Sequence, residues 1–245
     1  MKPMLEALGT VRSNLTYDEL LSRFSFNFIM CHYTVVAAMH HHPQSEMVQH
    51  AACASLRAMT DGNAVNQTRA GNAVRTVVRV VRAVGLVVVA MRAHPQSEEV
   101  QGAACAALRA MVHGDVGKRT RAVNEGAVEA VVAAMRRHPQ SEGVQSNACA
   151  TLNGMINDGN SDYQFHAGNC RAVEAVVGAM RAHPQSEEVQ GAACAALTSM
   201  TRGNTGNQTR AVNAGAAGAA NTAMTTHAAS ANVHSQATAV LQMLR

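Results

Sequence analysis

The sequence predicts an all-α protein in which copies of one helical unit stack in a line. Three observations support this. The motif His-Pro-Gln-Ser-Glu occurs four times, apolar residues recur at helical spacing between its copies, and the composition favours thin layers. Of 245 residues 47% are hydrophobic, yet there are only three Tyr, four Phe and no Trp. Small side chains cannot fill a wide interior at the density of protein cores, but they suit layers that touch only their neighbours.

The repeated motif sets the length of the unit. Its prolines are 52, 44 and 45 residues apart, and one cysteine per unit keeps the same spacings. We therefore expect units over residues 30–65, 66–115, 116–159 and 160–203, and a degenerate fifth unit over residues 204–245. The first interval is longer, and we place its extra residues within 71–86, as a lengthened helix or a loop. Residues 1–29 are predicted to form an N-terminal helical cap segment.

The third unit illustrates the elements in order. Residues 118–124 are predicted to form a short first helix. Residues 126–137 form a second helix, because their apolar side chains recur at i, i+3, i+4 and i+7. Pro139 ends it, since proline lacks the amide hydrogen that a helix needs. Ser141 is the predicted N-cap of a third helix, and Gly159 follows the end of that helix.

The unit resembles the armadillo repeat. The resemblance rests on the 44-residue period and on the strings GAVEAVVAAM (residues 126–135) and VQSNACATL (residues 144–152), and it covers about residues 30–245. It is closest in character to the valine- and alanine-rich armadillo repeats of protist proteins. This resemblance implies a right-handed α-solenoid whose third helices line a concave groove. It also implies a protein-binding scaffold without catalytic residues, cofactor or metal.

Armadillo import receptors carry a ladder of Trp and Asn on their third helices, which clamps an extended peptide. Both ladders are missing here. The Trp positions hold Ala54, Ala106, Ala150, Ala195 and Ala239. The Asn positions hold Ala58, Ala110, Gly154, Ser199 and Met243. The sequence therefore argues against an import receptor.

A protein partner is the expected ligand. A smooth alanine row can receive another helix closely, which is the preferred binding mode, and an extended peptide is the other possibility. Arg57 and Arg109 lie one residue before the Asn position and are candidate donors to an acidic or extended segment. The alternative is that they are solvated helix residues. The other candidate partner-binding residues predicted near this row are Glu99, Asn147 and Glu188.

A second candidate surface is a basic row on the first helices. Arg69, Arg121 and Arg210 occupy the same place in three units, so stacking aligns them. The row is interrupted in the fourth unit by the sequence Phe-His-Ala. Two interpretations stay open: the row binds an acidic partner, or its arginines pair with acidic neighbours such as Glu125.

Several other functions are disfavoured. The net charge of +4 is spread along the chain without interleaved aromatic residues, which argues against nucleic-acid binding. Apolar runs fall far short of the roughly 20 residues of a membrane-spanning helix. No secretory signal is recognisable at the N-terminus, so we expect a reducing, cytoplasmic location. The repeat cysteines Cys53, Cys105, Cys149 and Cys194 then serve packing and not disulfides.

We expect the histidines and cysteines that suggest a catalytic or metal site to have structural roles instead. His40, His41 and His42 are adjacent, and adjacent helical residues do not face one another, so they make a poor chelate. The histidine of each motif copy is expected to bond a terminal carbonyl of its own second helix. Cys31 and Cys170 lie outside the repeat pattern, but no positioned base is apparent beside them. We predict neither an active site nor a metal site.

A second function class stays open beside the adaptor. The chain is alternatively a structural subunit, or a fragment, of a larger assembly that packs through its ends and its convex face. The sequence leaves a monomer and a subunit of a hetero-assembly equally possible.

Overall fold

The computed structural model describes residues 34–61, 73–157 and 159–245. Within these ranges every regular element is an α-helix, and none of the helices is long and apolar enough to span a membrane. The predicted cap segment, residues 1–29, lies outside the described residues. The thirteen helices are α1 (residues 34–41), α2 (Glu46–Asp61), α3 (Ala73–Ala93), α4 (Glu98–Val112), α5 (Val116–Asn124), α6 (Ala127–Arg137), α7 (Glu142–Ile156), α8 (Ser161–Asn169), α9 (Ala172–Ala182), α10 (Glu187–Thr201), α11 (Thr205–Ala214), α12 (Ala216–Thr226) and α13 (Ala231–Met243).

The helices stack as an α-solenoid, which confirms the predicted fold class. The long third helices α2, α4, α7, α10 and α13 pack side by side in chain order and form the spine. Each packs against the second helix of its own unit, α4 against α3 and α7 against α6, for example. The short first helices α5, α8 and α11 close the units on the remaining side.

The longer first interval is accommodated by a helix. α3 has 21 residues, whereas the corresponding helices α6, α9 and α12 have 11 each. The extra residues thus extend the second helix of the second unit toward its N-terminus. This confirms the lengthened-helix alternative.

The junction between the second and third helices follows the predicted chemistry. α6 ends at Arg137, and His138 leaves the helical region with φ −120° and ψ 57°. Pro139 follows, and α7 begins at Glu142. The Ser141 hydroxyl accepts a hydrogen bond from the Val144 amide at 3.3 Å, which confirms the predicted N-cap. The corresponding serines cap α4, α10 and α13.

A buried glutamine caps the end of the second helix at the same junction, and this role was not predicted from the sequence. The last carbonyls of a helix have no partner within it. Gln145 Nε2 donates to Met135 O at 2.8 Å and to His138 O at 2.9 Å. Gln145 is 1% exposed. The same pair of bonds recurs at Gln49, Gln101 and Gln190.

The motif histidine has a different partner from the one predicted. His138 Nε2 donates to Pro95 O of the preceding unit at 2.9 Å, not to a carbonyl of its own helix. The prediction was wrong because the glutamine already occupies those carbonyls. The other pairs, at 2.8 to 3.0 Å, are His94 with Pro43, His183 with Pro139 and His227 with Pro184.

The last two residues of the motif also connect successive units. The Ser186 hydroxyl donates to Glu142 Oε1 at 2.6 Å, and the Ser230 hydroxyl donates to Glu187 Oε1 at 2.6 Å. Ser141 and Glu98 make the same contact. His, Pro, Ser and Glu of the motif therefore form a seam between units. The second unit differs, because the Ser97 hydroxyl donates to Glu99 Oε2 of its own helix start at 3.4 Å.

One backbone position departs from the repeat. In the third, fourth and fifth units the residue before the second helix is left-handed: Gly126 has φ 80° and Gly215 has φ 78°, but the fourth unit has Arg171 there with φ 61°. A side chain in this region clashes with the backbone, at a cost of about 1–2 kcal/mol. The Arg171 guanidinium lies 3.6 Å from Glu174 Oε1 and is 67% exposed, so this ion pair offsets little of the cost.

The glutamine cap gives a first prediction. Gln145→Ala leaves the Met135 and His138 carbonyls without these donors, so we expect the free energy of unfolding to fall by about 2 kcal/mol. Urea unfolding followed by circular dichroism measures the change. Gln140→Ala is the matched control, since Gln140 lies in the same junction but is exposed, and we expect less than about 0.5 kcal/mol. Equal midpoints for the two variants would contradict the cap.

The left-handed residue gives a second prediction. Arg171→Gly should raise the free energy of unfolding by about 1 kcal/mol, because glycine adopts positive φ without a clash. The reverse change, Gly126→Ala, should lower it, since φ at this position is 80° and an alanine side chain is strained there. Urea midpoints that move in the same direction for both variants would refute the assignment of strain to Arg171.

Candidate protein-binding groove

The face formed by the third helices carries a shallow groove between α2 and α4. It encloses about 490 Å³. Its floor is built from small residues: Ala54, Ala58, Gly102, Ala103 and Ala106. Polar side chains stand along its rim: His50, Arg57 and Asn147. The groove is therefore smooth in the middle and polar at its edge.

Helical spacing explains the smooth floor. Ala54 and Ala58 are four residues apart on α2, and Gly102 and Ala106 are four apart on α4, so each pair lies on one side of its helix. Side chains this small let a bound backbone come close to the spine. The apolar side chains of the same helices point into the solenoid, as Leu56 does at 1% exposure.

Two of the predicted partner-binding residues meet in this groove. Arg57 is exposed on α2 of the first unit, and Asn147 is half-buried on α7 of the third unit. The Asn147 amide nitrogen donates to Gly143 O at 2.8 Å, which fixes the orientation of its side chain. His50, which the sequence analysis did not single out, joins them because it occupies the position equivalent to Gly102.

The remaining third-helix candidates do not line the groove. Arg109 is half-buried on α4, at the place equivalent to Arg57 one unit earlier. Glu99 and Glu188 are exposed in the first turns of α4 and α10, where the helix dipole favours a negative charge. The structure thus separates an arginine pair near the groove from acidic residues at helix starts.

The polar residues on the third helices differ between the second unit and the third. Asn153 replaces the arginine of the row in the third unit, and its Oδ1 accepts a hydrogen bond from the Ser199 hydroxyl of the fourth unit at 2.7 Å. Ser199 is 9% exposed. Polar groups of the third and fourth units are therefore engaged with one another, whereas the arginine-bearing units adjoin the groove.

Two of the three first-helix arginines contact a carboxylate. Arg121 Nε lies 3.1 Å from Glu125 Oε1, and Arg210 Nη1 lies 3.5 Å from Glu174 Oε1 of the preceding unit. Arg69 lies outside the described residues. A partner that uses this row must compete with these carboxylates, so the third-helix face is the better candidate for binding.

The repeat cysteines are not candidate nucleophiles. Burial raises the pKa of the Cys53, Cys105 and Cys194 thiols to about 12 and that of Cys149 further still. The thiolate is the reactive form, so these thiols are inert near neutral pH. Their side chains fill the core between units, as expected of buried cysteine. Cys31 lies outside the described residues.

One group of metal-ligating side chains stands out within the described ranges. Glu129, His166 and Cys170 place one ligand atom each within 4.8 Å of one another. The rings of His40 and His41 lie elsewhere, in a T-shaped contact with centroids 5.6 Å apart. This cluster was not predicted from the sequence, because its members lie up to 41 residues apart. The departures from the repeat at positions 166 and 170 were the available signal.

Comparison with protein families identifies the repeat. Residues 81–245, more than half of the chain, match the family model described as the LRRK2 ARM repeat. The resemblance to armadillo repeats inferred from the sequence is thereby confirmed. A comparison with curated protein sequences gives no significant match.

Solved structures show the same architecture. The designed armadillo repeat protein YIII(Dq)4CqI superimposes with a TM-score of 0.54 at 19% identity, over 86% of this chain and 99% of that one. Two engineered proteins of the Northeast Structural Genomics Consortium superimpose with TM-scores of 0.56 and 0.55, at 18% and 19% identity. These alignments cover 86% of this chain and 96% and 97% of the engineered ones. At such identities the likeness concerns the fold alone.

The buried thiols give a third prediction, on pH. Burial raises the pKa of Cys194 from 9.0 to about 12, so as pH rises the unfolded chain loses this proton first. Stability that is present below pH 9 is therefore lost between pH 9 and 12, by about 1.4 kcal/mol per pH unit for this group. Urea unfolding at several pH values should show a shallower decline for Cys194→Ala than for the wild type. Parallel declines would contradict the assignment.

Proposed function

Because the chain belongs to the LRRK2 ARM-repeat family, we propose that it is a non-catalytic scaffold that binds another protein along the face of its third helices. The observation that carries this proposal is the groove between α2 and α4, with its alanine floor and polar rim. Armadillo solenoids typically serve as scaffolds, and a groove floored by small side chains favours docking over chemistry. We also propose a reducing, cytoplasmic location, which suits cysteines kept as buried thiols.

The partner that fits is a helix or extended peptide carrying acidic residues. A helix laid in a groove places its apolar residues at i, i+3, i+4 and i+7 against the floor. Its charged residues then face the rim, where Arg57 is exposed and Arg109 lies one unit further along. A guanidinium binds a carboxylate with two parallel hydrogen bonds, which adds orientation as well as affinity.

The second candidate function is that of a structural subunit. It is favoured by Phe165, which is 66% exposed on the first helix of the fourth unit, away from the groove, and by Val89, which is 51% exposed on the second helix α3. Large apolar side chains on these outer helices suit packing against another subunit. Sedimentation at increasing concentration distinguishes the two functions, since a stable monomer argues against the subunit.

The groove gives a fourth prediction. Peptides selected from a random display library against the full chain should bind the groove, so filling it with Ala58→Trp or Ala103→Trp should weaken binding at least tenfold. Ala133→Trp is the matched control, because Ala133 is exposed on the second helix α6. Binding is measured by fluorescence anisotropy, with circular dichroism as the check of folding.

Charge reversal separates the two predicted arginine surfaces in the same assay. Arg57→Glu should weaken binding of those selected peptides that carry acidic residues. Arg121→Glu should change the affinity of the same peptides by no more than about twofold, since exposed charges remote from an interface contribute little. The proposal fails if the groove variants bind like the wild type while Ala133→Trp or Arg121→Glu loses binding.

A further inference from the structure

We propose that Glu129, His166 and Cys170 form a zinc-binding site at the contact between the third and fourth units. The site joins α6 of the third unit to the end of α8 in the fourth. It is independent of the groove and of any partner bound there. Carboxylate oxygen, imidazole nitrogen and thiolate sulfur are the three ligand types that zinc takes in proteins.

The geometry of the three ligand atoms suits this ion. His166 Nε2 lies 2.9 Å from Glu129 Oε1, and Cys170 Sγ lies 3.8 Å from His166 Nε2. Zinc bonds of 2.0 to 2.3 Å place the ligand atoms of a tetrahedral site roughly 3.3–3.8 Å apart. All three ligand atoms already lie within 4.8 Å of one another. Side-chain rotations that move each atom by about 1 Å or less therefore bring them to the separations of a tetrahedral zinc site.

The backbone holds the ligands on rigid elements. His166 lies in the last turn of α8, and Cys170 is the C-cap residue of the same helix. Residues four apart on a helix share one side, so these two side chains face the same way. Glu129 lies in the first turn of α6. Glu129 and His166 are 46% and 34% exposed, which leaves room for water as a fourth ligand.

The stacking of units requires only part of this cluster. In the fifth unit Arg210 stands in the place of His166 and contacts Glu174, the counterpart of Glu129, at 3.5 Å. An arginine therefore suffices for the ion pair between units. Where the fourth unit has Cys170, the third has Glu125 and the fifth has Ala214, so a thiol is no part of the repeat. The fourth unit introduces both softer ligands together, next to the strained Arg171.

The charges of the site also suit a dication. Burial and then the neighbouring Glu129 carboxylate raise the pKa of Cys170 to about 11, so without metal the group is a neutral thiol. Binding of zinc releases the thiol proton to solvent and moves the imidazole proton from Nε2 to Nδ1. One thiolate and one carboxylate then balance the two charges of the ion. The Arg136 guanidinium, which donates to Cys170 O at 3.1 Å, favours the thiolate.

A metal held in this way links two units that otherwise meet through hydrogen bonds and packing. Ions that bind the folded state alone stabilise it by mass action. We therefore expect zinc to raise the melting temperature of the full chain. The melting temperature of His166→Arg should not respond, although this variant keeps an ion pair with Glu129 like that between Arg210 and Glu174.

The experiment titrates the full-length, reduced protein with zinc by calorimetry and with cobalt by absorbance. The wild type should bind one zinc ion with a Kd of micromolar or tighter, and cobalt should give the charge-transfer absorption of a thiolate ligand. Cys170→Ala and His166→Arg should each weaken zinc binding at least tenfold and abolish that absorption. His41→Ala is the control for adventitious binding by the three adjacent histidines, and it should bind like the wild type.

Three outcomes overturn the proposal. The first is absence of zinc binding by the wild type at micromolar concentrations. The second is unchanged binding by Cys170→Ala and His166→Arg. The third is loss of binding in His41→Ala, which assigns the ion to the adjacent histidines. Circular dichroism identifies a variant that fails to fold, and His166→Arg, which has the residue type of two other units, then decides the question.

Discussion

In the second to fifth units, the hydrogen bond from the motif histidine to the proline carbonyl of the preceding unit is the contact on which the stack depends. Proline ends the second helix and leaves its own carbonyl pointing out of the unit, where the next imidazole binds it at 2.8 to 3.0 Å. The glutamine occupies the carbonyls of the helix end, so the histidine is free to reach across. Serine and glutamate add a second bond at the same edge. The same few residues therefore end the second helix and join one unit to the next.

This arrangement determines what is left for binding. The histidine and serine of the motif make hydrogen bonds at the edges of the units, and the apolar side of each third helix packs in the core. The open side of α2 and α4 then carries alanine and glycine, with arginine at its border. The shape of this surface comes from the spacing of the helices. In the function that we propose, selectivity for a partner comes from a few rim residues such as Arg57 and Asn147.

The sequence predicted features that arise within one unit. The structure confirms the helical periodicity, the end of the second helix before Pro139 and the cap at Ser141. Each of these features depends on residues that are close together in the sequence. Contacts between units were predicted poorly. The partner of His138 lies 43 residues away, and the contact between Asn153 and Ser199 spans 46 residues. Such pairs depend on how far each unit rotates against the last, which no local pattern encodes. Gln145 recurs at the same place in four units, which the sequence shows. Its role as a cap of the second helix is apparent only from the structure.

The seam has a mechanical consequence. Each hydrogen bond of the seam joins one unit to its neighbour. Free energy in such a molecule is a sum over units and the boundaries between them. Tension applied at one end would consequently be borne by each boundary in series. The solenoid would stretch as an elastic rod and give way at its weakest joint, while the remaining segments keep their shape.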